Sequence, residues 1–216
     1  MSNIVVRYLK EDEYDIWDAF ADRSECGTIF HKTYWNKEIY AIDIHVSIQV
    51  IGCFKGEELV AGLVTGSRKR FGLIRTMVPP YATAFYGPVM RERETGQASK
   101  AESFRHEIME ALLEFIEKEY QVISFSLPPG YKDIRNFNWR NYSSEVYYSY
   151  RAEMKDAETL FSRFLPALRR QIKKGEKLSY RIHKGTGAKE IDAVYELIRT
   201  SYQRQDHHMR FGREQF

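Results

Sequence analysis

The sequence predicts an α/β protein, more narrowly an α+β fold in which a mixed sheet is flanked by helices. Two β-rich runs, 46–55 and 59–69, are joined by a short turn, and a strongly periodic helix covers about 100–119. Helices and extended segments then follow one another without strict strand-helix alternation. This order indicates one complete module followed by the beginning of a second.

Strands are predicted from runs rich in β-branched and aromatic residues. Gly56 lies between the two longest runs and predicts a hairpin at that point. The strands are expected at 4–9, 46–55, 59–69, 73–78, 122–127 and 178–183. The last of them opens the second module.

Helices are predicted from apolar residues at helical spacing and from end signals. Ser99 and Glu102 fit a capping box at the start of the longest helix, and Pro166 fits the first position of another. The helices are expected at 11–20, within 28–40, at 100–119, 156–164, 166–175 and 188–202. The segments expected to be non-helical are an aromatic loop at 79–97, an irregular stretch at 133–141 and an extended stretch at 146–154.

The positive charge is concentrated in the last third of the chain. The whole sequence has 33 Lys and Arg against 30 Asp and Glu, a net charge of +3 that does not indicate bulk nucleic-acid binding. Residues 151–216 contain 15 basic and 9 acidic residues, whereas 1–150 have a net charge of −3. A local anion-binding surface is therefore expected in the last third.

The cysteine pattern and the hydropathy point to a cytoplasmic protein. Cys26 and Cys53 are the only cysteines and form no CxxC pair, so neither a disulfide scaffold nor a metal site is expected. The N-terminus has no apolar leader, and no run of about 18 apolar residues occurs. The expected membrane contact is at most peripheral.

Several enzyme signatures are missing from the sequence. It has no GxSxG, GxxxxGK[ST], HExxH or GxGxxG pattern, so hydrolase, P-loop and dinucleotide-binding functions lack their motifs. A reaction that depends mainly on positioning two substrates fits such a sequence, because approximation alone lowers a barrier substantially.

The main candidate binding residues are cations on the helix that Pro166 opens. Arg169, Arg170 and Lys173, continued by Lys174 and Lys177, recur one helical turn apart. Arginine grips phosphate in a bidentate manner and lysine adds a point charge. A solvated helix face is the alternative interpretation, since cations near a helix C-terminus also complement its dipole.

Aromatic and histidine residues provide weaker candidates. Tyr81 and Tyr86 are expected to line a cleft from the 79–97 loop, the alternative being a packed loop over the sheet. His31 is a candidate general base, although a lone histidine is more often structural. His207 and His208 are adjacent, which is a poor spacing for a shared metal ion.

Three segments, in order along the chain, carry a family resemblance. Their residues are Phe30 and Trp35; Asp133, Arg135, Phe137, Trp139, Tyr142, Tyr148 and Tyr150; and Arg169, Ile172, Lys173 and Lys174. Together these segments resemble the Fem-type (FemAB-like) branch of the GNAT-fold acyltransferase superfamily. Members that act on nucleotide-linked muramyl peptides carry a Lys four residues after the Trp, where this chain has Ile39.

The resemblance implies a division of the chain and a function. The expected parts are a first GNAT-like module at 1–154, connecting helices at 155–177 and the beginning of a second, incomplete module at 178–216. The implied activity is transfer of an acyl or aminoacyl group to an amine acceptor in cell-wall or surface-polysaccharide biosynthesis. In such enzymes the residue matching Arg169 contacts the phosphates of a nucleotide sugar.

The resemblance also implies substrates and partners. The donor is acyl-CoA, such as acetyl-CoA, or aminoacyl-tRNA, with no metal, and the acceptor is a nucleotide sugar or amino sugar. Acyl-CoA members hold the pyrophosphate with a Q/R-x-x-G-x-G/A loop, which is expected in the second module and outside this chain. A non-catalytic GNAT-like binding module is the alternative function, and self-association is expected if the second module leaves an apolar face uncovered.

Overall fold

The chain forms two compact units, Met1–Ser144 and Glu145–Phe216. The computed structural model describes residues 4–91, 96–131, 133–148, 153, 156–178, 181, 183–209, 212 and 213. The α+β class is confirmed, because the first unit contains an antiparallel five-stranded sheet flanked by helices. The GNAT-like identity and the division at 154 and 177 stay predictions.

The named strands of the first unit all pair antiparallel in one sheet. Its strands are β1 (Ile4–Tyr8), β2 (Ser47–Lys55), β3 (Glu58–Arg70), β4 (Ile74–Val78) and β5 (Val89–Met90). The order is β1-β2-β3-β4, with β5 also paired to β3. The four long strands agree with the sequence prediction to within about two residues, because all four have strong β-propensity and β2, β3 and β4 also contain buried residues.

The β2–β3 hairpin has the predicted turn. Lys55 pairs with Glu58, and Gly56 has a φ of 65°, in the left-handed region that glycine adopts without steric cost. A register shift between Cys53 and Phe54 interrupts the ladder just before the turn. The turn that joins β2 to β3 is therefore the one that the sequence predicts, and the strand after it, β3, is long and mostly buried.

The 122–127 segment is not the regular strand that the sequence predicts. It forms two isolated bridges, a parallel one between Thr76 and Val122 and an antiparallel one between Tyr86 and Ser126. Its partner changes from β4 to the aromatic loop within four residues, so no continuous ladder forms. The segment thus ties the loop to the sheet.

In its described part, the first unit contains four α-helices beside the sheet. They are α1 (Tyr14–Arg23), α2 (Thr33–Ala41), α3 (Ala98–Glu119) and α4 (Arg135–Trp139). The apolar face of α3 includes Ile108, Leu112 and Ile116, which are fully buried in one cluster with Ile51 and Leu63 of the sheet. This cluster is the main core, and the predicted helix at 100–119 is confirmed with an earlier start.

The predicted capping box of α3 is wrong. The helix begins at Ala98, so Ser99 lies within the first turn, and Gln97 is the N-cap without a side-chain cap bond. Glu102 instead forms an ion pair with Arg135. The long-range attraction of this arginine competes for the carboxylate that a capping box would use.

The prediction of an irregular 133–141 stretch is also wrong. α4 lies within it and packs Phe137, which is 5% exposed, against the α3 cluster. Asn136 is 4% exposed and donates to Glu110 Oε1 over 2.8 Å. These contacts with α3 hold a helix too short to be stable alone.

The second unit consists of helices in its described part. They are α5 (Ala157–Arg163), α6 (Pro166–Glu176) and α7 (Ala188–Arg204), as predicted. Asp156 caps α5 by accepting from Thr159 N over 2.7 Å, and Pro166 occupies the first turn of α6. None of these helices has a buried residue.

The two extended segments expected near and in the second unit are only partly described. The described residues 146–148 form no ladder, and the predicted strand at 178–183 includes 179, 180 and 182, which lie outside the described residues. Within the described part of the chain, no helix is both long and apolar enough to cross a membrane.

Candidate functional site

The predicted cations lie on one helix of the second unit. Arg170 and Lys173 are exposed on α6, and Arg169 is half-buried. Lys174 lies on the same helix and Lys177 is its C-cap. Among the described residues none of the five forms an ion pair. The structure therefore brings Arg169, Arg170 and Lys173 together on one helix.

The electrostatics of α6 favour an anionic partner. Arg169, Lys173 and Lys177 recur at i, i+4 spacing, and like charges at this spacing repel each other by a few tenths of a kcal/mol per pair. A bound phosphate removes this repulsion and adds charge-assisted hydrogen bonds. The helix dipole favours cations in the last turn, which explains Lys173 and Lys174 without a ligand but not the first-turn Arg169.

Arg169 is the distinctive member of the cationic helix. Its Nε is buried without a hydrogen-bond partner among the described residues. Its backbone N donates to Leu165 O over 3.1 Å, so the residue is fixed in the first turn of the helix. A buried guanidinium N–H that lacks an acceptor costs free energy, and an anion at this position would satisfy it.

The two predicted tyrosines lie in the first unit and have different surroundings. Tyr86 is half-buried, its backbone exchanges hydrogen bonds of 2.9 and 2.8 Å with Ser126, and its hydroxyl lies 3.3 Å from Ser124 Oγ. Tyr81 is 40% exposed. Tyr86 therefore stabilises the loop, and Tyr81 is the one whose ring is open to solvent.

Phe30 and Trp35, the first of the three segments that carry the family resemblance, contact this aromatic loop. Phe30 packs edge-on against Trp35, with ring centroids 5.3 Å apart, and against Phe85 at 6.0 Å. Trp35 Nε1 donates to Thr83 Oγ1 over 3.0 Å, and Thr83 donates to the Tyr81 carbonyl over 2.8 Å. Sequence analysis identified both segments but not that they contact each other.

His31 is a packing residue and not an accessible base. The side chain is 2% exposed, and Nδ1 accepts from Thr28 N over 3.1 Å. Burial lowers the pKa of His31 to about 4. A substrate in solvent does not reach this imidazole.

Asp133 and Arg135 line a surface cleft together with residues of α3. The cleft has a volume of about 620 Å³, and its lining includes Glu102, Arg105, Asp133 and Arg135. Hydrogen bonds from the Arg135 side chain lower the pKa of Asp133 to about 2. Asp133 is thus held as a carboxylate that orients Arg135, and it is too weak a base for proton abstraction at neutral pH.

The pKa values of several other groups are also shifted away from 7. Burial raises the pKa of the Cys53 thiol to about 12, so it stays protonated. Every described carboxyl group with a shifted pKa has it lowered, through contacts such as those of Arg140 with Glu110. Within the described residues, no group of three or more His, Cys, Asp or Glu side chains is placed to hold a metal ion.

The sequence contains one further motif immediately before α3. Residues 93–98, R-E-T-G-Q-A, fit the pattern Q/R-x-x-G-x-G/A and directly precede the body of α3. Residues 92–95 are outside the described residues, whereas Gly96 and Gln97 are exposed. The expectation that this pattern occurs only beyond the chain is wrong at the level of sequence.

Comparisons with known proteins add no neighbour. The chain matches no protein-family model, no curated protein and no solved structure.

Proposed function

We propose that the chain belongs to an acyltransferase that transfers an acyl or aminoacyl group to the amine of a nucleotide-sugar or amino-sugar acceptor, and that α6 binds the phosphates of the nucleotide sugar. The observation that carries the proposal is Arg169, whose buried Nε lacks a partner among the described residues, on a helix with exposed Arg170 and Lys173. The resemblance of this helix to the connecting helix of Fem-type enzymes supports it.

The proposed reaction requires few catalytic groups from the protein. The acceptor amine attacks the acyl carbonyl, an N–C bond forms, and the thioester C–S bond of acyl-CoA or the ester C–O bond of aminoacyl-tRNA breaks. The proton lost by the amine goes through solvent to the leaving thiolate of CoA or the leaving ribose alkoxide of the tRNA, which become a thiol and a hydroxyl. Holding the two substrates together supplies the main rate enhancement.

Acceptor binding is tested by titration calorimetry with UDP-N-acetylglucosamine as the probe. We expect Arg169→Ala to weaken binding roughly tenfold or more, because a hydrogen bond to a charged group contributes about 1.5–3 kcal/mol. Lys189→Ala is the matched control, since it removes an exposed cation from α7 of the same unit. Equal affinities of wild type, Arg169→Ala and Lys189→Ala would remove α6 from the site.

Donor binding is tested separately by thermal shift with acetyl-CoA. A ligand at about 100 times its dissociation constant adds roughly 2.7 kcal/mol to the native state. If acetyl-CoA raises the melting temperature of the wild type but not that of Gly96→Val, donor binding is assigned to the 93–98 pattern. Aminoacyl-tRNA is the second donor, and its retention should fall steeply with salt if basic residues contact its phosphates.

A non-catalytic binding module is the second candidate function. It is favoured by the titratable groups, because every described carboxyl group with a shifted pKa has it lowered and His31 is enclosed. A general base works best with a pKa near the working pH. Binding of the nucleotide sugar without a response to acetyl-CoA or aminoacyl-tRNA would select this function.

A further inference from the structure

The tip of the β3–β4 hairpin exposes large apolar side chains. Phe71 is 92% exposed and Leu73 is 87% exposed, on either side of Gly72. Phe71 has a φ of 52°, in the left-handed region that an aromatic residue rarely adopts. The turn therefore holds an aromatic ring in solvent at a conformational cost that the first unit does not recover through packing.

The loop between α2 and β2 places another exposed apolar side chain at this end of the sheet. Ile44 is 90% exposed, next to Asp43, which forms an ion pair with Arg68 of β3. Asp43 also accepts from His45 N over 2.9 Å, which fixes the turn between α2 and β2. The ion pair thus keeps Ile44 at the same end of the sheet as the hairpin tip.

The apolar tip is flanked by unpaired positive charge. Lys69 and Arg70 are exposed and form no ion pair among the described residues. Asp43 is neutralised by Arg68, and Arg75 below the tip is paired with Glu119 at 2.5 Å. The surface around Phe71 and Leu73 is therefore cationic.

We infer that the β3–β4 hairpin tip docks on an anionic phospholipid bilayer. Phe71, Leu73 and Ile44 enter the headgroup region, while Lys69 and Arg70 contact lipid phosphates. An apolar tip bordered by Lys and Arg is the combination that interfacial binding requires, since buried apolar area and attraction to anionic lipid act together.

The apolar members favour a bilayer over a nucleic acid. Single-stranded nucleic acid stacks on aromatic rings and contacts cations, but it gains little from two exposed aliphatic side chains. Ile44 and Leu73 are such side chains, and both are largely exposed in turns. A bilayer uses all five residues.

The test is co-flotation of the full chain with vesicles of phosphatidylcholine containing about one third phosphatidylserine, at low and high salt, with pure phosphatidylcholine as the reference. We expect binding to the anionic vesicles only. Lys69→Gln with Arg70→Gln should weaken it by roughly fivefold per charge, since each basic residue near the surface contributes about 1 kcal/mol.

The apolar contribution has its own variant. Phe71→Asn with Leu73→Ser should weaken vesicle binding on the order of tenfold. Asn tolerates the left-handed conformation, so the hairpin should keep its fold and the melting temperature should not fall. Ile16→Ser on α1, where Ile16 is 55% exposed, is the matched control and should bind like the wild type.

Three results would overturn the inference. The first is a wild-type chain that does not float with anionic vesicles, and the second is a Phe71→Asn, Leu73→Ser variant that floats as well as the wild type. The third is salt-dependent retention of a short single-stranded RNA, or dimerisation abolished by the same variant, without vesicle binding. That result would assign the tip to a nucleic acid or to a second copy of the chain.

Discussion

The two units of the chain differ in how they bury apolar side chains. In the first unit α3 packs Ile108, Leu112 and Ile116 into a sheet whose β3 is buried along most of its length. In the second unit α5, α6 and α7 have no buried residue, and Leu197 of α7 is 71% exposed. Stability is thus expected to come mainly from the first unit, whereas the residues proposed to bind the acceptor lie in the second.

The largest expected effect comes from one substitution made in both units. Leu112→Ala should lower the free energy of unfolding by about 2–5 kcal/mol, because it leaves a cavity in the main core. Leu197→Ala should change it by less than about 0.5 kcal/mol, since this side chain is already in solvent. Urea unfolding measures both, and equal losses would contradict the contrast between the units.

The next effect is a pH dependence specific to the first unit. The pKa of His31 is about 4 in the folded state and about 6.5 when the chain is unfolded, so the unfolded state binds more protons between these values. The contribution of His31 to the free energy of unfolding is therefore fully present above about pH 6.5, and about 3 kcal/mol of it is lost as the pH is lowered to 4.

His31→Gln should remove this part of the pH dependence. His45→Gln, at an exposed position, should keep it. Asp133, whose pKa is lowered to about 2, adds a loss of stability only below about pH 4. If the unfolding free energy of the wild type is flat between pH 4.5 and 6.5, His31 is not enclosed as described.

A third prediction concerns the contact of α4 with α3. Asn136→Ala should cost about 1–3 kcal/mol, because it removes the amide that donates to Glu110 from a buried position. Asn138→Ala on the exposed side of the same helix is the matched control, with an expected change within about 0.5 kcal/mol. Thermal unfolding of the two variants should separate them clearly, and identical melting temperatures would count against the packing of α4.

The smallest effect sharpens the description of the second unit. Gly175 lies inside α6, and a Cβ added there meets no atom within 4 Å. Gly175→Ala should stabilise the helix locally by about 0.5–1 kcal/mol without changing the unfolding of the first unit. Slower amide exchange within α6 alone is the expected readout, whereas a loss of helicity would show that the glycine has a packing role.

The sequence predicted the fold best where the signals are local. β2 and β3 are long β-rich runs joined at Gly56, α3 has a clear helical period, and Asp156 and Pro166 mark helix starts by their own chemistry. The predictions for 122–127 and 133–141 were wrong because the outcome there depends on distant partners. A single sequence does not reveal that Asn136 will contact Glu110.

The candidate site was predicted unevenly for the same reason. Helical spacing was enough to place Arg169, Arg170 and Lys173 on one helix. The roles of Tyr81 and Tyr86 depend on contacts with Thr83 and Ser126, which lie in the loop itself and across from it. The missed 93–98 pattern could have been found by searching for the motif before every predicted helix.

We propose that a phosphate-bearing acceptor completes α6, which lies in the less buried unit. Amide hydrogen exchange with and without UDP-N-acetylglucosamine tests it most directly, with Arg169→Ala as the control. We expect α3 to be strongly protected in both states, and α6 to exchange rapidly alone and slowly with the probe, except in the variant. Exchange in α6 that the probe leaves unchanged, or protection that persists in Arg169→Ala, would contradict the account.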